Sequence, residues 1–244
     1  MTRYSFLILT VLTMLGNYLA NLGVFGGESI GAISDTYSTL LTPAGFTFAI
    51  WSVIYTLLVG LGGLIAAKKL TVSNSFLRWY ALSCALNVGW LAVWQNELFL
   101  AAAIVLVSLA LVNFGIVRYL VANTQTQTWK AWPAQSYLVY ATWTLLAAII
   151  NVTTWLQFAV GFEGFGVPGS TWAGGILWVL AGVALALVRF RNYLAFALVY
   201  LWAVFGIVSA NSGTEIAAQG TTGALVVTFV LVFTVFGRRR LRIS

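Results

Sequence analysis

The sequence predicts an all-α protein, a polytopic transmembrane helix bundle, and three observations predict it. Hydrophobic residues make up 61% of the 244 positions and charged residues only 7%, where a soluble domain carries ~25%. Such a chain cannot hydrate a soluble surface. Long apolar runs recur along its whole length. The charges between those runs are sorted by sign: the gaps alternate basic and acidic, and no gap mixes the two.

A helix needs ~20 mostly apolar residues to cross the hydrocarbon core. Eight segments qualify: 5–25, 44–67, 78–95, 98–121, 135–158, 172–190, 193–210 and 220–237. The first follows Arg3 and is read as a membrane helix rather than a cleaved signal peptide. The second begins at Pro43 and Ala44, where a proline costs little. Its Gly60, Gly62 and Gly63 suit close helix contact, with Gly63 and Ala67 at small-xxx-small spacing. Ala81, Ala85 and Gly89 form a similar ridge on the third. Gln95, Asn96 and Glu97 separate the third from the fourth. Pro133 and Pro168 mark the starts of the fifth and sixth, so no proline kinks a membrane helix. The loop 26–43 is the longest on the outer face, rich in Gly, Ser and Thr, and is either a lid or a slack connection. Residues 122–134, with Thr124 to Thr128, read as a solvated cytoplasmic linker.

The charges fix an expected topology. Arg3, then Lys68, Lys69 and Arg78, then Arg118 and Lys130, then Arg189 and Arg191, then Arg238, Arg239, Arg240 and Arg242 fall on one side. Glu28, Asp35, Glu97, Glu163 and Glu215 fall on the other. The positive-inside rule then places both termini in the cytoplasm, and the expected location is a bacterial cytoplasmic (plasma) membrane with the lipid bilayer as partner.

Several function classes are disfavoured. The net charge of +7 does not indicate nucleic acid, because the basic residues sit at helix ends as anchors. Cys84 is the only cysteine, so no intrachain disulfide is available, and it reads as a small packing residue. There is no histidine, the commonest metal ligand and general base. Away from their ends the spans hold no ionisable residue, which disfavours proton pumps, ion-coupled transporters, voltage sensors and retinal proteins. No nucleophile–base pair, metal cluster or phosphate loop supports an enzyme.

What the spans do hold is tryptophan with a few amides. Tyr80, Ser83, Asn87, Trp90 and Trp94 fall on one face of the third helix. Trp143, Asn151 and Trp155 share a face of the fifth, with Ala147 between. Thr47, Phe48, Trp51 and Tyr55 do likewise on the second. An asparagine in hydrocarbon must find a partner, so Asn87 and Asn151 should point inward. Two readings stay open. Trp94, Trp129, Trp132, Trp155 and Trp172 are interfacial belt residues and the amides helix–helix glue, or the indoles line an apolar pocket with a few orienting polar groups.

The run Thr42-Pro43-Ala44-Gly45-Phe46-Thr47-Phe48-Ala49-Ile50-Trp51-Ser52-Val53-Ile54-Tyr55, followed by Gly60, resembles the second-helix motif of the tryptophan-rich sensory protein/translocator family (TspO/MBR, peripheral benzodiazepine receptor-like). Ala85-Leu86-Asn87-Val88-Gly89-Trp90 resembles its third-helix motif, and Trp143, Ala147, Asn151 and Trp155 its fifth-helix pattern. The resemblance covers residues 1–158, a five-helix TspO-like membrane domain, and leaves 159–244 as a three-helix membrane extension. It implies a cavity near the long first loop, porphyrin, other tetrapyrrole or sterol ligands, and photochemistry by pocket tryptophans in some members. By position the ligand-binding candidates are Phe48, Trp51, Tyr55, Asn87, Trp90, Trp143, Ala147 and Asn151. The chain departs from the family at Leu41, Ala44, Ala103 and Val152, where a Trp, a second Pro, an acidic residue and a second Trp are common.

The expected function is a non-enzymatic membrane receptor or carrier for a hydrophobic planar small molecule, with a bound tetrapyrrole or lipid as the only cofactor in view. The alternatives are an uncoupled transporter and a subunit or assembly factor of a larger membrane complex. A homodimer is also open.

Overall fold

A computed structural model of the chain describes residues 3–123 and 131–240, the last six as backbone only. Trp129, Lys130, Arg242 and the central part of the expected linker, 124–128, lie outside the described residues, as do the side chains of Arg238, Arg239 and Arg240. The secondary structure of the described residues is helical throughout. The long helices are α1 (Ser5–Asn21), α3 (Ile50–Ala66), α4 (Asn74–Gln95), α5 (Phe99–Asn123), α6 (Trp132–Thr154), α7 (Gly169–Arg191), α8 (Leu194–Ala210) and α9 (Glu215–Arg240), and the short α2 (Ile30–Thr36) lies in the first loop. A 3-10 turn at Gly45–Ala49 leads into α3, and α6 continues as a π-helix over Trp155–Val160.

Each expected apolar segment is thus a helix, with boundaries shifted for local reasons. α1 stops at Asn21 rather than residue 25, because Gly23 adopts a left-handed φ of 75° and turns the chain. Gly26 then passes so close to α4 that a Cβ would lie 2.2 Å from the Gln95 carbonyl oxygen. α4 starts at Asn74, earlier than expected, because the Ser73 hydroxyl caps it by accepting from the Phe76 N–H at 3.1 Å. α4 and α5 are separate helices, as Gln95, Asn96 and Glu97 predict: Glu97 has a left-handed φ of 56° and makes a tight corner. Pro133 lies in the first turn of α6 and Pro168 is the N-cap of α7.

By length and composition, the six helical stretches Gly45–Ala66, Asn74–Gln95, Phe99–Asn123, Trp132–Val160, Gly169–Arg191 and Glu215–Thr234 are sufficient to cross a membrane. α1 and α8 are shorter apolar helices.

The chain forms two compact units: residues 1–38 with 49–161, and residues 39–48 with 162–244. In the first, α1 packs on α3 and α4, α4 on α5, α5 on α6, and α6 back on α3, closing a ring of five helices. Gly62 explains the α1–α3 approach, since a Cβ there would lie 2.5 Å from Leu7. Gly60 receives the Trp132 ring, with a Cβ 3.0 Å away. Gly63 and the Ala81–Ala85–Gly89 ridge do not serve such contacts: Gly63 and Gly89 face open space, and Ala85 is exposed.

In the second unit α7, α8 and α9 pack pairwise. Glycines set their spacing, with Gly174 against Gln219 and Gly220 against Val208 and Val204. The segment 39–48 is fastened to α8. Ala44 N–H donates to the Gly206 carbonyl at 3.0 Å, and Trp202 Nε1 donates to the Thr47 carbonyl at 2.9 Å.

Candidate functional site

The five-helix ring is filled by side chains that reach across it. On α4, Tyr80, Ser83, Asn87, Trp90 and Trp94 recur at helical spacing and all are buried. On α6 the inward stripe is Ser136, Tyr140, Trp143, Ala147 and Asn151, of which Ala147 alone is half-buried. Asn87 joins three helices. Its Oδ1 accepts from Asn17 Nδ2 of α1 at 2.8 Å, and its Nδ2 donates to Tyr140 Oη of α6 at 3.1 Å. Trp90 Nε1 donates to Asn151 Oδ1 at 3.1 Å, and Asn151 Nδ2 donates to the Ala147 carbonyl at 3.0 Å. Both asparagines therefore point inward, as their cost in hydrocarbon demands.

Aromatic rings continue the network. Trp51 stands edge-on to Tyr140 at 5.9 Å and stacks on Tyr55 at 5.6 Å. Trp90 stacks on Trp94 at 6.1 Å. Trp94 is 3% exposed, so it is an interior residue and not part of an interfacial belt. Trp132 and Trp172 stay exposed, as belt residues would. Trp143 is buried within the α6 stripe. The structure thus brings Trp51, Tyr55, Asn87, Trp90, Trp143, Ala147 and Asn151 into one unit. Phe48 belongs to the second unit, with Thr47 and the rest of the 39–48 segment.

A second polar cluster was missed by reading only Asn87 and Asn151 as span amides. Asn113 of α5 is fully buried. It accepts from Ser83 Oγ at 2.7 Å and Tyr137 Oη at 3.0 Å, and donates to Thr144 Oγ1 at 3.2 Å. Thr10 of α1 hydrogen-bonds Tyr80 Oη at 2.7 Å. The signal was available: Asn17 and Asn113 also lie inside apolar segments, and any amide there needs a partner.

The first half of the long loop is an ordered cover on the ring's acidic end, not a slack connection. α2 is capped by Ser29, whose hydroxyl accepts from Ala32 N–H at 3.2 Å, and it buries Ile33. Gln95 Nε2 donates to the carbonyls of Ala20, at 2.7 Å, and Glu28. Trp94 Nε1 reaches the Ile30 carbonyl at 3.4 Å, and Asn96 Nδ2 the Phe25 carbonyl at 2.9 Å. Beyond α2, Tyr37 donates its hydroxyl to Glu97 Oε2 at 2.6 Å and sets its ring against Phe99 and Phe158. The Glu97 carboxylate accepts that proton-bearing hydroxyl and so raises the Tyr37 pKa above its ordinary value.

Among the described residues no group of three or more His, Cys, Asp or Glu could hold a metal ion. The interior offers indole and phenol faces, neutral donors and neutral acceptors, with Lys68, Lys69, Arg78 and Arg118 exposed at helix ends. Such a surface can bind and orient an apolar molecule.

Apolar helices of spanning length around an aromatic, amide-crossed interior define a multi-pass integral membrane protein. The chain belongs to the TSPO-like protein family, whose model matches residues 3–237. That match takes in α7, α8 and nearly all of α9, so the three C-terminal helices fall within the family match. No curated protein and no solved structure matches the chain.

Proposed function

We propose that this protein is a non-enzymatic membrane receptor or carrier that holds a hydrophobic, planar ligand of tetrapyrrole or sterol type inside the five-helix ring. The observation that carries the reading is the convergence on Tyr140: Trp51 of α3 meets its ring and Asn87 of α4 its hydroxyl. Trp90, Trp143, Ala147 and Asn151 continue this lining along α4 and α6. Flat rings suit a flat ligand, and the fixed amides supply orientation. The test is a porphyrin titration followed by intrinsic tryptophan fluorescence. Saturable quenching is expected, and Trp51→Phe should weaken binding about two- to tenfold, the range of one aromatic contact. Quenching that does not saturate, or that is indifferent to Trp51→Phe, overturns the reading.

The same proposal includes eight membrane crossings with both termini on the cytoplasmic side of a bacterial plasma membrane. The support is the sorting of charge between successive helices. α1 and α8 have 17 residues each and rise ~26 Å, short of a ~30 Å core, so flanking residues or local bilayer thinning must make up the difference. Reporter fusions at each basic and each acidic loop test the orientation. A periplasmic signal from any basic loop contradicts it.

A further inference from the structure

We propose that Tyr55 and Ser136 form a pair of hydroxyl donors on the α3–α6 side of the ring that recognises a carbonyl group on an uncharged planar ligand. The inference rests on the ligand-site reading above and narrows its ligand class. Tyr55 Oη and Ser136 Oγ are both enclosed by protein and have no hydrogen-bond partner. A buried hydroxyl without a partner is disfavoured, and each one in a native interior calls for an explanation. A local remedy exists in this very helix: Thr144 bonds back to the carbonyls of Tyr140 and Ala141 at 3.1 and 3.0 Å. Ser136 does not take that option.

The two hydroxyl residues stand at one level. Trp51 and Tyr140 meet ring to ring at 5.9 Å, and further along the same helix pair a Cβ added at Gly60 would lie 3.0 Å from the Trp132 ring. α3 and α6 therefore run antiparallel in a fixed register. Tyr55 lies between Trp51 and Gly60, and Ser136 lies midway between Trp132 and Tyr140. Tyr55 also stacks on Trp51, so its donor sits beside an aromatic platform. Thr142 has an unpartnered hydroxyl too, but at ~100° per residue it projects from the opposite side of α6 to Tyr140 and is not part of this pair.

Two unpaired donors at one level of the helix pair want an acceptor. The described basic residues of this unit, Arg3, Lys68, Lys69, Arg78 and Arg118, are exposed at or near helix ends, so a carboxylate held at the pair would be left without a counter-ion among them, at high cost. A ketone or other carbonyl on a neutral ring system satisfies both donors and carries no charge.

9-Fluorenone and fluorene share a planar ring system and differ by one carbonyl, so they isolate the effect. The full chain in nanodiscs is dialysed against each probe, with empty discs subtracted. Fluorenone is expected to bind saturably and about tenfold more tightly than fluorene, as two modest hydrogen bonds allow. Tyr55→Phe and Ser136→Ala should each remove much of the preference for fluorenone over fluorene. Their thermal midpoints should hold or rise, because each variant deletes an unpaired hydroxyl. Equal affinity for the two probes, or a preference that survives both substitutions, overturns the hydroxyl pair while the ligand-site reading stands. A drop in midpoint for both variants assigns the hydroxyls a structural partner and also overturns it. Saturable binding of neither probe counts against the pair, and the porphyrin titration on the same discs then decides whether the wider reading falls with it.

Discussion

The two compact units hold their helices together in different ways. In the five-helix ring the helices are tied side chain to side chain: Asn17 to Asn87, Asn87 to Tyr140, Trp90 to Asn151, and Asn113 to Ser83, Tyr137 and Thr144. In the second unit the ties run from side chains to backbone carbonyls, as in Tyr200 to Leu177 and Trp202 to Thr47, and glycines bring the elements close. Glycines bring helices close in the ring as well, at Gly62 against Leu7 and Phe6, so what sets the ring apart is its side-chain-to-side-chain hydrogen bonds.

The largest test of the contrast is a bulky residue at Gly206. A Cβ there would lie 2.0 Å from Thr47 Oγ1 and 2.9 Å from Pro43. Gly206→Leu should cost about 3 kcal/mol or more, at the upper end of overpacking, and should release the 39–48 segment to proteolysis. Gly63→Leu in the ring is the control, since it points to open space, and should stay within about 0.5 kcal/mol. Equal losses for the two would remove the distinction between the units.

The ring should break at its amides instead. Asn113→Leu keeps the branched outline but takes away the acceptor of Ser83 and Tyr137 in a buried site, while Thr144 keeps its backbone carbonyls, and it should cost about 1–3 kcal/mol in thermal or denaturant unfolding. A double-mutant cycle with Ser83→Ala should return a coupling of about 0.6–1.7 kcal/mol, the range for hydrogen bonds between membrane helices. Zero coupling would mean that the pair adds nothing to the ring.

The helical frame was legible because length, apolarity and charge sorting are coarse signals that hydrocarbon imposes on every span. The inward turn of Asn87, Asn151 and the α4 stripe was legible for the same reason, since a polar group in a span leaves few choices. What the sequence did not disclose depends on which neighbour each face meets. Gly62 and Gly63 look alike in sequence, yet one meets Leu7 and the other open space. Trp94 reads as a belt residue from its place near a helix end, and only the fold of the loop puts Ile30 over it. The family motif from Thr42 to Phe48 is continuous with Trp51 in sequence, but its first part is fastened to α8, where Trp202 donates to the Thr47 carbonyl from 155 residues further along the chain. α2 and the start of α4 each carry a local cue in an N-cap serine, Ser29 before Ile30 and Ser73 before Asn74.

The smallest expected effect concerns the cover on the acidic end. Tyr37 is the point where the loop is latched to the α4–α5 corner, and its pKa is raised by the hydrogen bond to Glu97. A group whose pKa is higher in the folded state adds stability while protonated. The latch is therefore complete below the ordinary tyrosine value of ~10 and is lost as pH climbs through the raised value. Above it a phenolate would face the Glu97 and Glu28 carboxylates, so repulsion replaces attraction. Hydrogen exchange over Ser29–Tyr37, corrected for intrinsic rates, should show protection falling about two- to fivefold on passing from pH 9 to strongly alkaline conditions, a modest change because the contact is exposed. Tyr37→Phe should already show the lowered protection at pH 8 and add no further step at high pH. Full protection in Tyr37→Phe would mean that Gln95, Trp94 and Asn96 hold the cover alone, and that the ordered half of the loop owes its place to α4 rather than to the latch.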